Sequence, residues 1–129
     1  MITNETSEPD FVGAKAAIFV GEKIVTVLRD DNPAIQFPDM WDLPGGMREP
    51  GEDAFACLRR ETREEVSLDI DESQVVYKEF FPMIIDPTRL ACFMVLRLDE
   101  SALQQLVLGD DAADRAAARA HHRAARDHL

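Results

Sequence analysis

The chain opens with a polar, acidic stretch, MITNETSEPD, and then turns apolar. Two short apolar runs follow, AKAAIFV at 14–20 and KIVTVLRD at 23–30, separated by Gly21-Glu22. This pattern predicts two strands joined by a hairpin turn. DDNPAIQFPD at 30–39 carries two prolines and reads as a loop. MWDL at 40–43 predicts a short strand ending at Pro44-Gly45-Gly46. Over residues 52–66 the apolar spacing becomes that of a helix, preceded by Gly51, with Glu52 and Asp53 at the positive end of its dipole. VVYKEFFPMII at 75–85 and LACFMVLRL at 90–98 predict two more strands with a turn around Asp86-Pro87. DESALQQLVL at 99–108 predicts a short helix, capped by Asp99 or Ser101. Strands on either side of a central helix imply an α/β or α+β layer architecture.

With 129 residues, 46% apolar and 30% charged, the whole chain reads as one domain, 1–129, able to form a core without disulfides. Cys57 and Cys92 lie inside apolar-patterned segments without metal-type Cys/His spacing, which predicts buried free thiols in a reducing cytosol. The N-terminus lacks the apolar core of a signal peptide, and no apolar run approaches the ~18 residues of a membrane span. A cytoplasmic location is the expectation. The net charge of −11 disfavours nucleic-acid polymers and anionic membranes as partners. A protein so acidic can handle a polyphosphate only through a mediating cation, and a divalent metal is the simplest one.

Composition shifts abruptly at Gly109. Residues 109–129 use only Gly, Asp, Ala, Arg, His and Leu, and hold all three histidines. Two readings stay open for this tail: an alanine-rich terminal helix, or translation of a shifted frame in GC-rich DNA, which sequencing of the coding DNA would decide. His121-His122 is a weak metal candidate, because adjacent helix residues do not share a face.

The chemistry concentrates in GGMREPGEDAFACLRRETREEVSL, residues 45–68. On a helix of about 100° per residue, Phe55, Leu58, Thr62 and Val66 fall within a sector of about 80° that faces the core. Glu61 and Glu65 lie immediately beside that strip, and Glu64 next to them. Carboxylates one turn apart repel, and partial burial increases the penalty. Arg60 offers one compensation, by pairing with Glu64 or gripping a neighbouring carboxylate through both oxygens. A hard divalent cation, Mg²⁺ or Mn²⁺, offers the other. A solvated charge run is the ordinary alternative. Against it stands the spacing of Gly46, Glu52, Arg60, Glu61, Glu64 and Glu65, which would coincide by chance roughly once in 10⁵ chains of this length.

That spacing resembles the signature of the Nudix hydrolases (MutT-like), G-x5-E-x7-R-E-U-x-E-E-x-G-U with U apolar, over Gly46 to Leu68, and the preceding WDLPGG is also typical. The resemblance implies an α/β/α sandwich around a mixed β-sheet, whose final strand and helix would be missing if the tail is out of frame. It implies Glu64 and Glu65 as principal metal ligands, a backbone carbonyl at Gly45 or Gly46 as another, and Glu61 as a further ligand or the group that activates water. By the same resemblance Arg60 orients the glutamates, Glu52 supports them, and Asp110 or Asp111 is a candidate late-loop acid. Thr62 and Ser67 depart from the pattern. Ser67 replaces a glycine that lets the helix end in a left-handed conformation, at an expected penalty of about 1 kcal/mol.

The activity implied is metal-dependent hydrolysis of the pyrophosphate bond of a nucleoside diphosphate linked to another group, by water attack at phosphorus. The alternatives are a non-catalytic Nudix-like domain that senses a nucleotide, and a purely structural domain. The expected partner is a nucleotide-type small molecule; dimerisation is common in the family, but no residue here establishes it. Trp41, Phe37, Phe80 and Phe81 are possible stacking residues for a nucleobase, although their strand-like positions favour the core.

Overall fold

The computed structural model describes residues 8–28 and 41–105. Its organising element is β1 (Gly13–Val20), whose alternation sets two different faces. Ala14, Ala16, Ile18 and Val20 are buried, while Lys15 and Phe19 on the other face are half-exposed. β7 (Leu90–Leu98) runs parallel to β1 with Ala14 opposite Cys92 and Val20 opposite Leu98. This register places the buried Cys92, Met94, Leu96 and Leu98 beside the buried set of β1, so one apolar face is continuous across both strands.

The predicted hairpin forms at Gly21-Glu22, but its second strand is only β2 (Lys23–Ile24). Val27–Leu28 (β3) leaves the sheet and pairs with Trp41–Asp42 (β4) in a separate two-stranded ribbon. The run at 23–30 is interrupted because the edge of β1 it would have extended along is taken. β5 (Gly45–Met47) pairs antiparallel with Gly13–Lys15, and the Pro44 carbonyl accepts from the Ala16 N–H at 3.1 Å. The Gly45-Gly46 pair therefore opens β5 at the turn after Pro44 instead of ending a strand.

β6 (Val75–Pro82) pairs antiparallel with β7 and completes a mixed sheet in the order β2-β1-β7-β6, with β5 on the shared edge of β1. The strand predicted at 75–85 stops at Pro82. Met83 N–H reaches the Arg89 carbonyl at 2.9 Å, and the Asp86 carboxylate accepts from Thr88 to make the predicted turn. Ile84 and Ile85 are thus exposed loop residues that the apolar pattern mistakes for strand. The short helix predicted at 99–108 is a 3₁₀ helix over Glu100–Gln105, and the residues beyond it lie outside the described ones.

The central helix, α1 (Ala54–Val66), packs on β1 and β5. It begins two residues later than the pattern predicts. The Asp53 side chain caps it by accepting from Ala56 N–H at 2.8 Å, which leaves Glu52 in the preceding loop. It ends at Ser67 in the left-handed conformation (φ 59°), whose N–H bonds the Arg63 carbonyl at 3.0 Å. Thr62 is wholly buried; its hydroxyl donates to the Leu58 carbonyl at 2.7 Å, so its departure from an apolar residue leaves no orphaned polar group. Both cysteines are buried and free. Mixed sheet and helix agree with the predicted fold class; the tail that would supply a final strand and helix lies outside the described residues. No helix among the described residues is long and apolar enough to cross a membrane.

Candidate active site

The site forms where α1 crosses β5. Its closeness depends on small residues: Ala54 and Cys57 are buried along with Leu58, Thr62 and Val66, whereas Phe55 is only partly buried. At about 100° per residue the buried arc therefore extends past the Phe55–Val66 strip to enclose Glu61 and Glu65. The two glutamates sit within the packed face and not merely along its edge.

β5 meets them with glycines. A β-carbon on Gly46 would fall 2.5 Å from the carboxylate carbon of Glu61, so the absent side chain is the space Glu61 occupies. Gly45 has φ +136°, and a β-carbon there would fall 2.1 Å from the Ala14 carbonyl oxygen. With the backbone held this way, Gly45 N–H donates to Glu65 Oε1 at 3.0 Å. The Gly46 carbonyl, on the same turn, accepts from the Cys57 thiol at 3.5 Å.

Arg60 gathers the remaining charge. Its Nε and Nη2 fork onto the two Glu52 oxygens at 2.6 and 3.1 Å. Nη1 reaches Glu61 Oε2 at 3.2 Å and Glu64 Oε1 at 3.3 Å, and Nη2 also donates to the Met47 carbonyl at 2.8 Å. One guanidinium thus joins β5, the loop before α1 and two turns of the helix. The fork onto Glu52 holds that carboxyl below its ordinary value. Burial pushes the other way at Glu61, raising its proton affinity despite Arg60. At Glu65 burial dominates, opposed by the Gly45 N–H and reinforced by the charge of Glu61, and pushes the carboxyl up to about 7.

Of the residues singled out in the sequence, Gly46, Glu61 and Glu65 converge on this turn, with Arg60 and Glu52 behind them. Glu64 does not join them: its side chain is 59% exposed and leans on Arg60. Among the described residues no three acidic, histidine or cysteine side chains already form a metal cage. What fits a hard cation is the chemistry of the turn: two half-buried carboxylates whose ionised forms lack full compensation, and a main-chain carbonyl beside them. Mg²⁺ characteristically takes only one or two carboxylates and completes its shell with water or phosphate. Asp110, Asp111, His121 and His122 lie outside the described residues, as does Phe37. Phe80 packs on Phe11 at 5.9 Å and Trp41 against the core, whereas Phe81 stays 44% exposed.

Sequence reasoning overlooks Lys15. Its ammonium donates to Asp42 Oδ2 at 2.8 Å and to the Leu43 carbonyl at 3.2 Å, beside the glycine turn. The available signal was a lone charge inside the apolar run AKAAIFV. Lys15 also lines a cavity of about 530 Å³ that runs from Gly45 and Gly46 to Phe81, Met83 and Phe93.

A family model for the NUDIX domain matches residues 11–123, most of the chain and all of the site just described. The chain belongs to the Nudix family. The match continues into the tail that begins at Gly109. Among solved structures, this Nudix chain is similar to a bifunctional NMN adenylyltransferase/ADP ribose pyrophosphatase from Francisella tularensis, complexed with AMP and a Mn ion. That likeness has 24% identity and a TM-score of 0.61 over 82% of this chain and 33% of the other. It is also similar to a MutT/nudix family protein from Enterococcus faecalis, with 22% identity and a TM-score of 0.55 over 84% and 43%. A NUDIX hydrolase from Nitrosomonas europaea gives 17% identity and a TM-score of 0.52 over 82% and 65%. The chain spans about a third of the Francisella protein's length. These likenesses show the Nudix fold. No curated protein matches the chain.

Proposed function

We propose that this Nudix chain is a pyrophosphohydrolase that, with a divalent cation, cleaves the diphosphate of a nucleoside diphosphate linked to another group. The observation that carries this reading is the pair Glu61 and Glu65, buried against the Gly45-Gly46 turn with raised proton affinity although Arg60 bonds Glu61 and the Lys15 charge acts on Glu65. Evolved only for stability, such a pair would be replaced by apolar side chains at little loss. A nucleotide substrate is supported by the family and by the Francisella relative, named for an ADP ribose pyrophosphatase and complexed with AMP and Mn.

In this reading Glu61, Glu65 and the Gly46 carbonyl would hold the cation, Mg²⁺ or Mn²⁺, with Glu64 as a further ligand. The bound cation would neutralise phosphate oxygens and make water a better nucleophile. With an oxygen left free of the cation, Glu61 would also be the group that accepts the proton of the attacking water, its burial favouring the protonated form. Arg60 stays charged throughout, because its carboxylate partners raise its proton affinity further, and it keeps Glu52 and Glu61 in place. Gly45 N–H fixes one oxygen of Glu65, and the other would be available as a ligand. The substrate is a small nucleotide-type molecule met in the cytoplasm, with no polymer or membrane as partner.

The test is release of orthophosphate or phosphomonoester from a panel of nucleoside diphosphate derivatives with Mg²⁺ or Mn²⁺. Turnover by the wild-type chain that is abolished in a Glu64→Gln, Glu65→Gln double variant supports the reading. Saturable binding with no product after long incubation would make the chain a sensor instead.

A further inference from the structure

Lys15 is the one charged side chain among the described residues lining the 530 Å³ cavity. The rest of that lining is apolar or main chain, with the Phe81 and Phe93 rings offering flat surface. On the sheet, Lys15 stands opposite Phe93 in the β1–β7 register, and its own strand carries it to Gly45 of β5. The ammonium therefore marks the point where an aromatic-lined hollow meets the glutamate turn. It is 43% exposed and anchored by Asp42 and the Leu43 carbonyl, so two of its three protons have partners and the third is left for a ligand. The other nearby cations are engaged differently: Arg60 by four glutamates, and Arg48 by Asp10 and the Glu52 carbonyl over the Phe11 ring.

We infer that Lys15 is a specificity-determining residue that selects ligands joining a flat apolar body to a phosphate, by donating to the phosphate oxygen on the Gly45 side of the cavity. The inference rests on the proposed hydrolase reading for its substrate class and deepens it: the nucleoside side of the diphosphate lies in the hollow and the second group points outward. A neutral ring alone fills the hollow without using the ammonium. A free phosphate uses the ammonium without the hollow, against the strongly acidic surroundings of the glutamates.

Calorimetric titration with Mg²⁺ present tests this with nucleoside 5′-monophosphates, which have no diphosphate to cleave, against the corresponding nucleosides. In the wild-type chain each monophosphate should bind more tightly than its nucleoside. Lys15→Met should shrink that preference about tenfold while leaving nucleoside affinity unchanged, and Lys15→Arg should retain most of it. Circular dichroism checks that both variants fold. An unchanged preference in Lys15→Met, an equal loss for nucleoside and monophosphate, or no binding of either by the wild-type chain would overturn the inference. None of these outcomes bears on hydrolysis itself, which stands or falls on the glutamate double variant.

Discussion

Arg60 grips Glu52 through both carboxylate oxygens, Nε to Oε2 at 2.6 Å and Nη2 to Oε1 at 3.1 Å, across the junction between loop and helix. The fork spends the two donors of one guanidinium edge on a residue outside α1 and leaves Nη1 for Glu61 and Glu64. Glu52 thereby aims Arg60, and Arg60 aims the glutamates. A lysine keeps the charge but cannot bridge three carboxylates and the Met47 carbonyl at once. Arg60→Lys should lower kcat/KM roughly 10–100-fold with little change in fold, measured by steady-state product release and circular dichroism. Wild-type activity in that variant would remove Arg60 from the machinery.

Gly46 gives a sharper steric test. Its missing β-carbon is the place of the Glu61 carboxylate, at 2.5 Å. Glu61 is the far end of a flexible chain, so Gly46→Ala should fold and displace the carboxylate. Turnover should fall by about two orders of magnitude, in line with a misplacement of roughly 1 Å at a reacting group. Metal titration of the variant by calorimetry should show weakened uptake. Unaltered turnover and uptake would mean that Glu61 works from another position.

Ser67 is the only non-glycine residue with positive φ among the described residues. A side chain in this region is strained, and glycine is not. Ser67→Gly should stabilise the protein by about 1 kcal/mol, less the greater freedom glycine gives the unfolded chain, and raise Tm by a few degrees. Ser67 follows Glu65 by two residues, so an unchanged kcat/KM is the outcome expected if the Glu65 bond to the Gly45 N–H survives the substitution. A lower Tm would show that the hydroxyl contributes more than the strain removes.

Stability of the metal-free protein should depend on Glu65. Burial raises its carboxyl from 4.5 to about 7 on folding. Between those values the folded chain carries more protons than the unfolded one, so stability declines as pH rises through the window and levels off above it. Glu52, Asp69, Asp71 and Asp86 are shifted down and act with the opposite sign below that window. With EDTA, Tm should therefore be higher near pH 5 than near pH 8. Glu65→Gln, or saturating Mg²⁺ at the higher pH, should narrow the gap. A metal-free Tm that rises across the window would reverse the assignment.

The sequence by itself determined the strand at 14–20, the strand at 90–98, the helix ending at Val66, the buried free thiols and the glutamate signature. Each of these is written in local terms: apolar alternation, helical period, or fixed spacing along one chain segment. Only the tertiary structure decided the rest. The run at 23–30 is long enough for one strand, yet β5 takes the edge of β1 it needed, and no local signal records that competition. Glu61 and Glu65 come inside the packed face because Ala54 and Cys57 let α1 settle on β5, while Glu64, one residue from Glu65, stays in solvent with Arg60. Lys15 meets Asp42 from 27 positions away, so its place beside the glycine turn exists only once the sheet has formed. Spacing specifies which groups share a segment; burial and pairing across the sheet specify which of them face one another.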